Sequence, residues 1–175
     1  MPTSRPPQPE VAVYLRRPHE ALHLYLLIGQ SNMAGRGEVA AQDRQIHPCV
    51  SALDRSCRWL PAADPIHFDK PGAGVGLGLT SGKIMAGHDP LVHVGLIPCA
   101  AGGSPISVWR PGCTWDETGS VPYDDALRRS RLAMGQGVLR GILWHQGESD
   151  SKELRIRDQR SPPPNTPASA AVCLR

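Results

Sequence analysis

Three short apolar runs, each closed by a cluster of small polar residues, constrain this chain more than any other feature. They are His23–Ile28 (HLYLLI), Leu91–Pro98 (LVHVGLIP) and Gly137–Trp144 (GVLRGILW). Each is rich in branched residues and runs on without polar alternation. Strands covered on one face alternate, whereas continuous runs of this length suit parallel strands covered on both faces. A long irregular segment, residues 36–73, and a predicted helix over about 75–86 separate the first two runs. The stretch YDDALRRSRLAMGQG separates the second from the third, with Tyr123, Leu127, Leu132 and Met134 as its expected apolar face. Strand, helix, strand, helix, strand predicts an α/β domain with a parallel sheet and right-handed crossovers.

The length of 175 residues suits a single core. With 18 Gly and 18 Pro, the connections should be extensive. The domain is expected over residues 22–150, after an N-terminal extension (1–21) whose first ten residues are Pro-rich. Residues 151–175, with three consecutive prolines and no apolar period, read as a disordered or aberrant tail. That tail carries the whole net charge of +3, and the neutral body argues against a nucleic-acid partner. No apolar stretch has the length of a membrane span or of a secretory signal, so no membrane partner and a cytoplasmic location by default are expected, while the oligomeric state stays open. Five cysteines without a C-x-x-C pair suit reduced thiols better than a disulfide framework or a zinc site.

The polar endings carry the chemistry. The first run ends in Gly29-Gln30-Ser31-Asn32-Met33, the second in Cys99-Ala100-Ala101-Gly102-Gly103-Ser104, the third in His145-Gln146-Gly147-Glu148-Ser149-Asp150. Any one of these could be a plain turn between strand and helix, since Gly, Ser and Asn favour turns. Three in succession fall where an open α/β sheet binds its ligands, beyond the carboxyl ends of its strands. A serine, an imidazole, an amide and a carboxylate beside glycine N–H groups make up a hydrolase inventory.

GQSNMAGRG, CAAGGSPISVW and WHQGESD resemble the successive blocks of the SGNH-type hydrolases, in the branch of sialate O-acetylesterases and plant-type carbohydrate acetyl-esterases. DPIHFDKPGAGVGLG resembles a segment those esterases carry between the first two blocks, so the likeness spans roughly residues 22–150. It implies a flavodoxin-like three-layer α/β/α sandwich and removal of O-acetyl groups from carbohydrates, without metal or other cofactor. It also implies that Ser31 is the nucleophile, with Ser31, Gly103 and Gln146 forming the oxyanion hole and Glu148 orienting a catalytic histidine. Position 33 is Met, which separates this motif from the G-x-S-x-G elbow of α/β-hydrolases.

In the family the base is the histidine of a D-x-x-H block near the C-terminus. Here D-x-x-H occurs as Asp64-Pro65-Ile66-His67, which matches the inter-block segment instead. The expectation is therefore a domain incomplete at its C-terminus, with His145 and His67 as supporting groups or substitute bases. The alternative is an inactive esterase fragment that at most binds carbohydrate or a partner chain.

Other motifs weigh less. His19-Glu20-Ala21-Leu22-His23 fits the zinc-protease pattern H-E-x-x-H, but Pro18 precedes it and a strand follows at once, so no helix aligns the imidazoles. GAGVGLG (72–78) follows no strand, and GLTSGK (78–83) is one residue short of a phosphate loop. Both are expected to form the approach to a helix.

Overall fold

The computed structural model describes residues 21–151. Strands β1 (Leu22–Gly29), β2 (Val50–Leu53), β3 (Trp59–Pro61), β4 (His93–Pro98) and β5 (Val138–His145) form one sheet in the order β3-β2-β4-β1-β5. All neighbours are parallel except β3, which runs antiparallel to β2. The three apolar runs are thus the adjacent strands β4, β1 and β5, with Leu26 of β1 in register with Ile97 on one side and Ile142 on the other.

Both faces of the sheet are covered, as the continuous apolar runs require. Leu22, Leu24, Leu26 and Ile28 of β1 enter a cluster with Leu53, Trp59 and the α3 residues Ala126 and Ala133, where α3 spans Pro122–Met134. Leu27 points the other way, into a cluster with Val94, Leu96 and the α2 residues Leu79 and Ala86, where α2 spans Leu77–His88. The period of two along β1 divides its side chains between two helical layers. The result is the α/β/α sandwich expected from the resemblance.

Two expectations about individual elements need correction. Residues 36–73 are not irregular throughout: β2, β3 and a short 3-10 helix at Ala41–Arg44 lie within them. VSAL and WLP are too short to show a period, and their pairing comes from β4 and from each other. Second, α3 does not bury Tyr123, Leu127, Leu132 and Met134, which are 37–46% exposed. Its inward face is Ala126, Arg129, Ser130 and Ala133. Small side chains there let the helix lie close to the sheet, and the larger apolar ones flank the contact.

The helix expected over about 75–86 is α2, and the glycine-rich 72–78 stretch is the approach to it. His23 lies in β1, a strand, whereas the zinc-protease pattern needs a helix there; His19 and Glu20 lie outside the described residues, as does the tail beyond 151. No described helix is long and apolar enough to cross a membrane.

Candidate active site

The carboxyl ends of β1, β4 and β5 meet through their backbones before any side chain is involved. Gly29 ends β1 at φ +129°, a conformation that L side chains rarely adopt. A Cβ there would sit 1.9 Å from the His145 carbonyl oxygen, so only glycine lets β1 and β5 close at this point. Gln30 N–H then donates to His145 O at 3.0 Å, and Ala101 N–H donates to Gly29 O at 2.9 Å. Three strand ends are tied together within two residues of Ser31.

Ser31 opens a single helical turn, α1 (Ser31–Ala34), whose underside is fixed by the buried Met33 and Ala34. Met33 and Ala34 N–H groups both donate to Gln30 O at 3.0 Å. Ser31 is left half-buried and Asn32 exposed at the rim. Neither the Ser31 nor the Gly103 backbone N–H donates to a described residue. Gly103 holds φ +83°, and its carbonyl accepts from the Ser149 hydroxyl at 2.8 Å.

The loop after β5 weaves the ends together. Ser149 Oγ lies 2.7 Å from Gln30 Oε1 as well, so its one proton is shared between Gln30 and Gly103. The Glu148 carboxylate accepts from the side-chain amides of both Gln30 and Asn32, the residues flanking Ser31, and lies 3.4 Å from His145 Nε2. Partial burial works against ionisation of Glu148. Its own backbone N–H, the Gln30 and Asn32 amides and the nearby His145 outweigh that burial and hold the carboxyl below its usual range. Gln146 Nε2 donates to Ser104 O at 2.7 Å, with Asp150 Oδ2 at 3.4 Å, while its Oε1 is buried without a partner. Asp150 accepts in turn from Ile106 N–H.

Among the described residues no hydrogen bond joins a histidine to the Ser31 hydroxyl. His145 faces Glu148. His67 is 4% exposed, with Nε2 unpartnered. Burial holds its imidazole down at about 4; Asp69 opposes this, and Arg36 and Arg129 add to it. No cluster of three or more His, Cys, Asp or Glu able to hold a metal occurs among the described residues.

Several members of this network were not singled out from sequence. Gln30 and Asn32 were visible as the amides either side of Ser31, and Ser149 and Asp150 as part of the third block. Asp69 had no local signal. Its Oδ2 accepts from Gly102 N–H at 2.9 Å and pairs with Arg36 at 2.7 Å, bracing the second block from 33 residues away.

The family model described as "Carbohydrate esterase, sialic acid-specific acetylesterase" matches residues 21–159. This chain belongs to that carbohydrate esterase family. Within it, the chain is 31% identical over 158 residues to an Arabidopsis thaliana protein described as a probable carbohydrate esterase, covering 79% of this chain and 57% of that protein. It is 34% identical over 78 residues to the sialate O-acetylesterase of Pongo abelii, covering 36% of this chain and 15% of that one. The esterase-family fold is seen in an Arabidopsis thaliana X-ray structure at TM-score 0.64 and 28% identity, covering 73% of this chain and 58% of that chain. The crystal structure of NanS shares the fold at TM-score 0.60 and 21% identity, covering 77% of this chain and 56% of that one. The chain thus spans little more than half the length of the Arabidopsis relative, and far less of the sialate esterase.

Proposed function

We propose that this chain carries the nucleophile and the oxyanion donors of a serine-dependent carbohydrate acetyl-esterase. The observation that supports this most is the convergence on Ser31: a half-buried hydroxyl, two undirected backbone N–H groups at Ser31 and Gly103, and a carboxylate gripping the amides on either side. Ser31 Oγ attacks the acetyl carbonyl carbon, and the new oxyanion is met by the Ser31 and Gly103 N–H groups; Gln146, the third donor expected, gives its Nε2 to Ser104 O instead. Collapse of that intermediate breaks the bond to the sugar oxygen, which leaves as the hydroxyl after taking up a proton. Water then attacks the acetyl-serine and releases acetate. Glu148 keeps Gln30 and Asn32, and so the turn that bears Ser31, in one arrangement.

The serine proton needs a base, and general-base help is worth about 10²–10⁴-fold. One observation favours a second reading, a chain that binds acetylated carbohydrate or a partner but turns over slowly: the lack of a histidine on the Ser31 hydroxyl among the described residues. His145 and His67 are the substitute candidates within the described fold.

The two readings separate by mass spectrometry of the purified chain after exposure to p-nitrophenyl acetate, with and without added imidazole. The esterase reading expects an acetyl adduct on Ser31 that is absent in Ser31→Ala, forms slowly alone and faster with imidazole. No Ser31 adduct under either condition would discard the esterase reading. If turnover is already fast and His145→Ala or His67→Ala abolishes it, a resident histidine is the base.

A further inference from the structure

The loop after β4 spends its backbone groups almost completely. Ala101 N–H donates to Gly29 O at 2.9 Å, Gly102 N–H to Asp69 Oδ2 at 2.9 Å and Ser104 N–H to Ala101 O at 3.2 Å. The carbonyls are taken as well. Gly102 O accepts from the Trp115 indole Nε1 at 3.0 Å, Gly103 O from the Ser149 hydroxyl at 2.8 Å and Ser104 O from Gln146 Nε2 at 2.7 Å. Between Ala101 N and Ser104 O, only the Gly103 N–H has no partner among the described residues.

Gly102 O and the Gly103 N–H belong to one peptide unit. That unit is trans, and a planar trans peptide holds its carbonyl and its N–H on opposite sides. Whatever fixes the carbonyl therefore aims the N–H. A peptide between two glycines is also the easiest to turn over, because no Cβ on either side resists the change in ψ of Gly102 and φ of Gly103. Turned over, it would present an oxygen where the ester develops its oxyanion. Gly102 is buried, so its carbonyl depends on a protein donor more than on water.

Trp115 is built to be that donor. Its loop is closed by the Trp115 N–H on Ser120 O at 2.8 Å and the Ser120 N–H on Trp115 O at 3.3 Å. Glu117 in the same loop pairs with Lys70 at 2.6 Å, and Lys70 follows Asp69, the acceptor for Gly102 N–H. Residues 69 and 70 thus hold both the glycine and the loop that bears the indole. A Cβ on Gly103, whose φ is +83°, would come within 3.6 Å of Trp115 Cζ2 and 3.1 Å of Glu117 Oε2, so indole and carboxylate lie directly over that residue. Trp109 gives the contrast: its Nε1 donates at 2.9 Å to Ser104 Oγ, a side chain, and fixes no peptide.

We propose that Trp115 is a positioning residue of the ester site: its indole N–H pins the Gly102 carbonyl and so points the Gly103 N–H of the same peptide at the oxyanion. The bond to Gly102 O also polarises the peptide and makes the Gly103 N–H a stronger donor. The role in catalysis rests on the esterase reading; the direction of the peptide does not.

Mass spectrometry of Ser31 acetylation by p-nitrophenyl acetate, with imidazole as added base, tests this on the parent chain, Trp115→Phe and Trp109→Phe. Each variant keeps an aromatic ring and loses one indole hydrogen bond, so the two urea midpoints should fall alike. Trp115→Phe is expected to lower the saturating acetylation rate by about 10-fold to 10³-fold, the upper figure being the loss of a whole oxyanion donor. The ester concentration giving half that rate should stay as in the parent, because the neutral ester carries no oxyanion before attack. Trp109→Phe should leave the rate near that of the parent. A crystal structure of Trp115→Phe should show the Gly102–Gly103 peptide turned over or divided between two orientations. A peptide that keeps its direction, an acetylation rate indifferent to Trp115→Phe, or an equal slowing by Trp109→Phe overturns the proposal. No Ser31 adduct in the parent would discard the esterase reading alone, and the peptide direction in Trp115→Phe would then decide the pinning by itself.

Discussion

The Gln30 side-chain amide donates to the Glu148 carboxylate across 118 residues of sequence, joining the residue before the candidate nucleophile to the third block. Gln30 is 1% exposed, while the Glu148 side chain that accepts from it is 38% exposed at the rim. The other end of the Gln30 amide, Oε1, is taken by Ser149. One buried side chain thereby registers β1 against the loop after β5, and Ser31 inherits that position.

Glu148→Ala leaves the buried Gln30 Nε2 without an acceptor, which costs about 1–3 kcal/mol. A urea denaturation midpoint should fall accordingly. Glu148→Gln keeps one acceptor oxygen and should lose less. Equal stability of Glu148→Ala and the parent would show that Gln30 finds another partner.

Gly29→Ala should be far more disruptive than its size suggests. The added Cβ would meet the His145 carbonyl at 1.9 Å, on a backbone at φ +129°. The β1–β5 junction must open, and a loss of more than about 3 kcal/mol is expected, in the range of strained or overpacked positions. Thermal unfolding of the soluble fraction measures it, and a melting temperature near that of the parent would contradict the junction described.

Two buried groups pull the stability in opposite directions over mildly acidic pH. His67 titrates at about 4 in the fold against 6.5 when unfolded, because burial favours its neutral form. The unfolded chain therefore binds the extra proton, and the His67 contribution is complete above 6.5 and lost as pH falls towards 4. Asp64 is raised to about 6 from 3.8, chiefly by burial, so its contribution is complete below 3.8 and lost as pH rises through 6. Asp64→Asn removes the second effect only. Its stability should climb with pH between 4 and 6 more steeply than that of the parent, by up to about 1.4 kcal/mol per pH unit. Parallel curves from denaturation at several pH values would refute the opposed titrations.

Ser149→Ala should loosen the site more than the fold. The hydroxyl lies between Gln30 Oε1 and Gly103 O, and its loss costs about 0.5–1.5 kcal/mol as a net hydrogen bond. If Gly103 is an oxyanion donor, the rate of Ser31 acetylation should fall by more than that stability loss explains. An unchanged acetylation rate would separate Ser149 from the reaction.

The sequence by itself determined the three adjacent strands β4, β1 and β5, the two helices between them and the polar residues at the strand ends. Apolar runs and helical spacing are local properties, and GQSNM, AAGGS and HQGES stand directly after the runs that carry them. The tertiary structure alone decided the rest. VSAL and WLP become strands because β4 offers an edge to pair with, which no window of four residues reveals. The helix at 122–134 turns its small residues inward because the sheet is near, not because they are its most apolar. Glu148 meets Gln30, Asp69 meets Gly102, and Arg129 loses its water beside Phe68, each with a residue distant in the chain. Electrostatics and burial depend on distance in space, and only the folded sheet brings those residues within reach of one another.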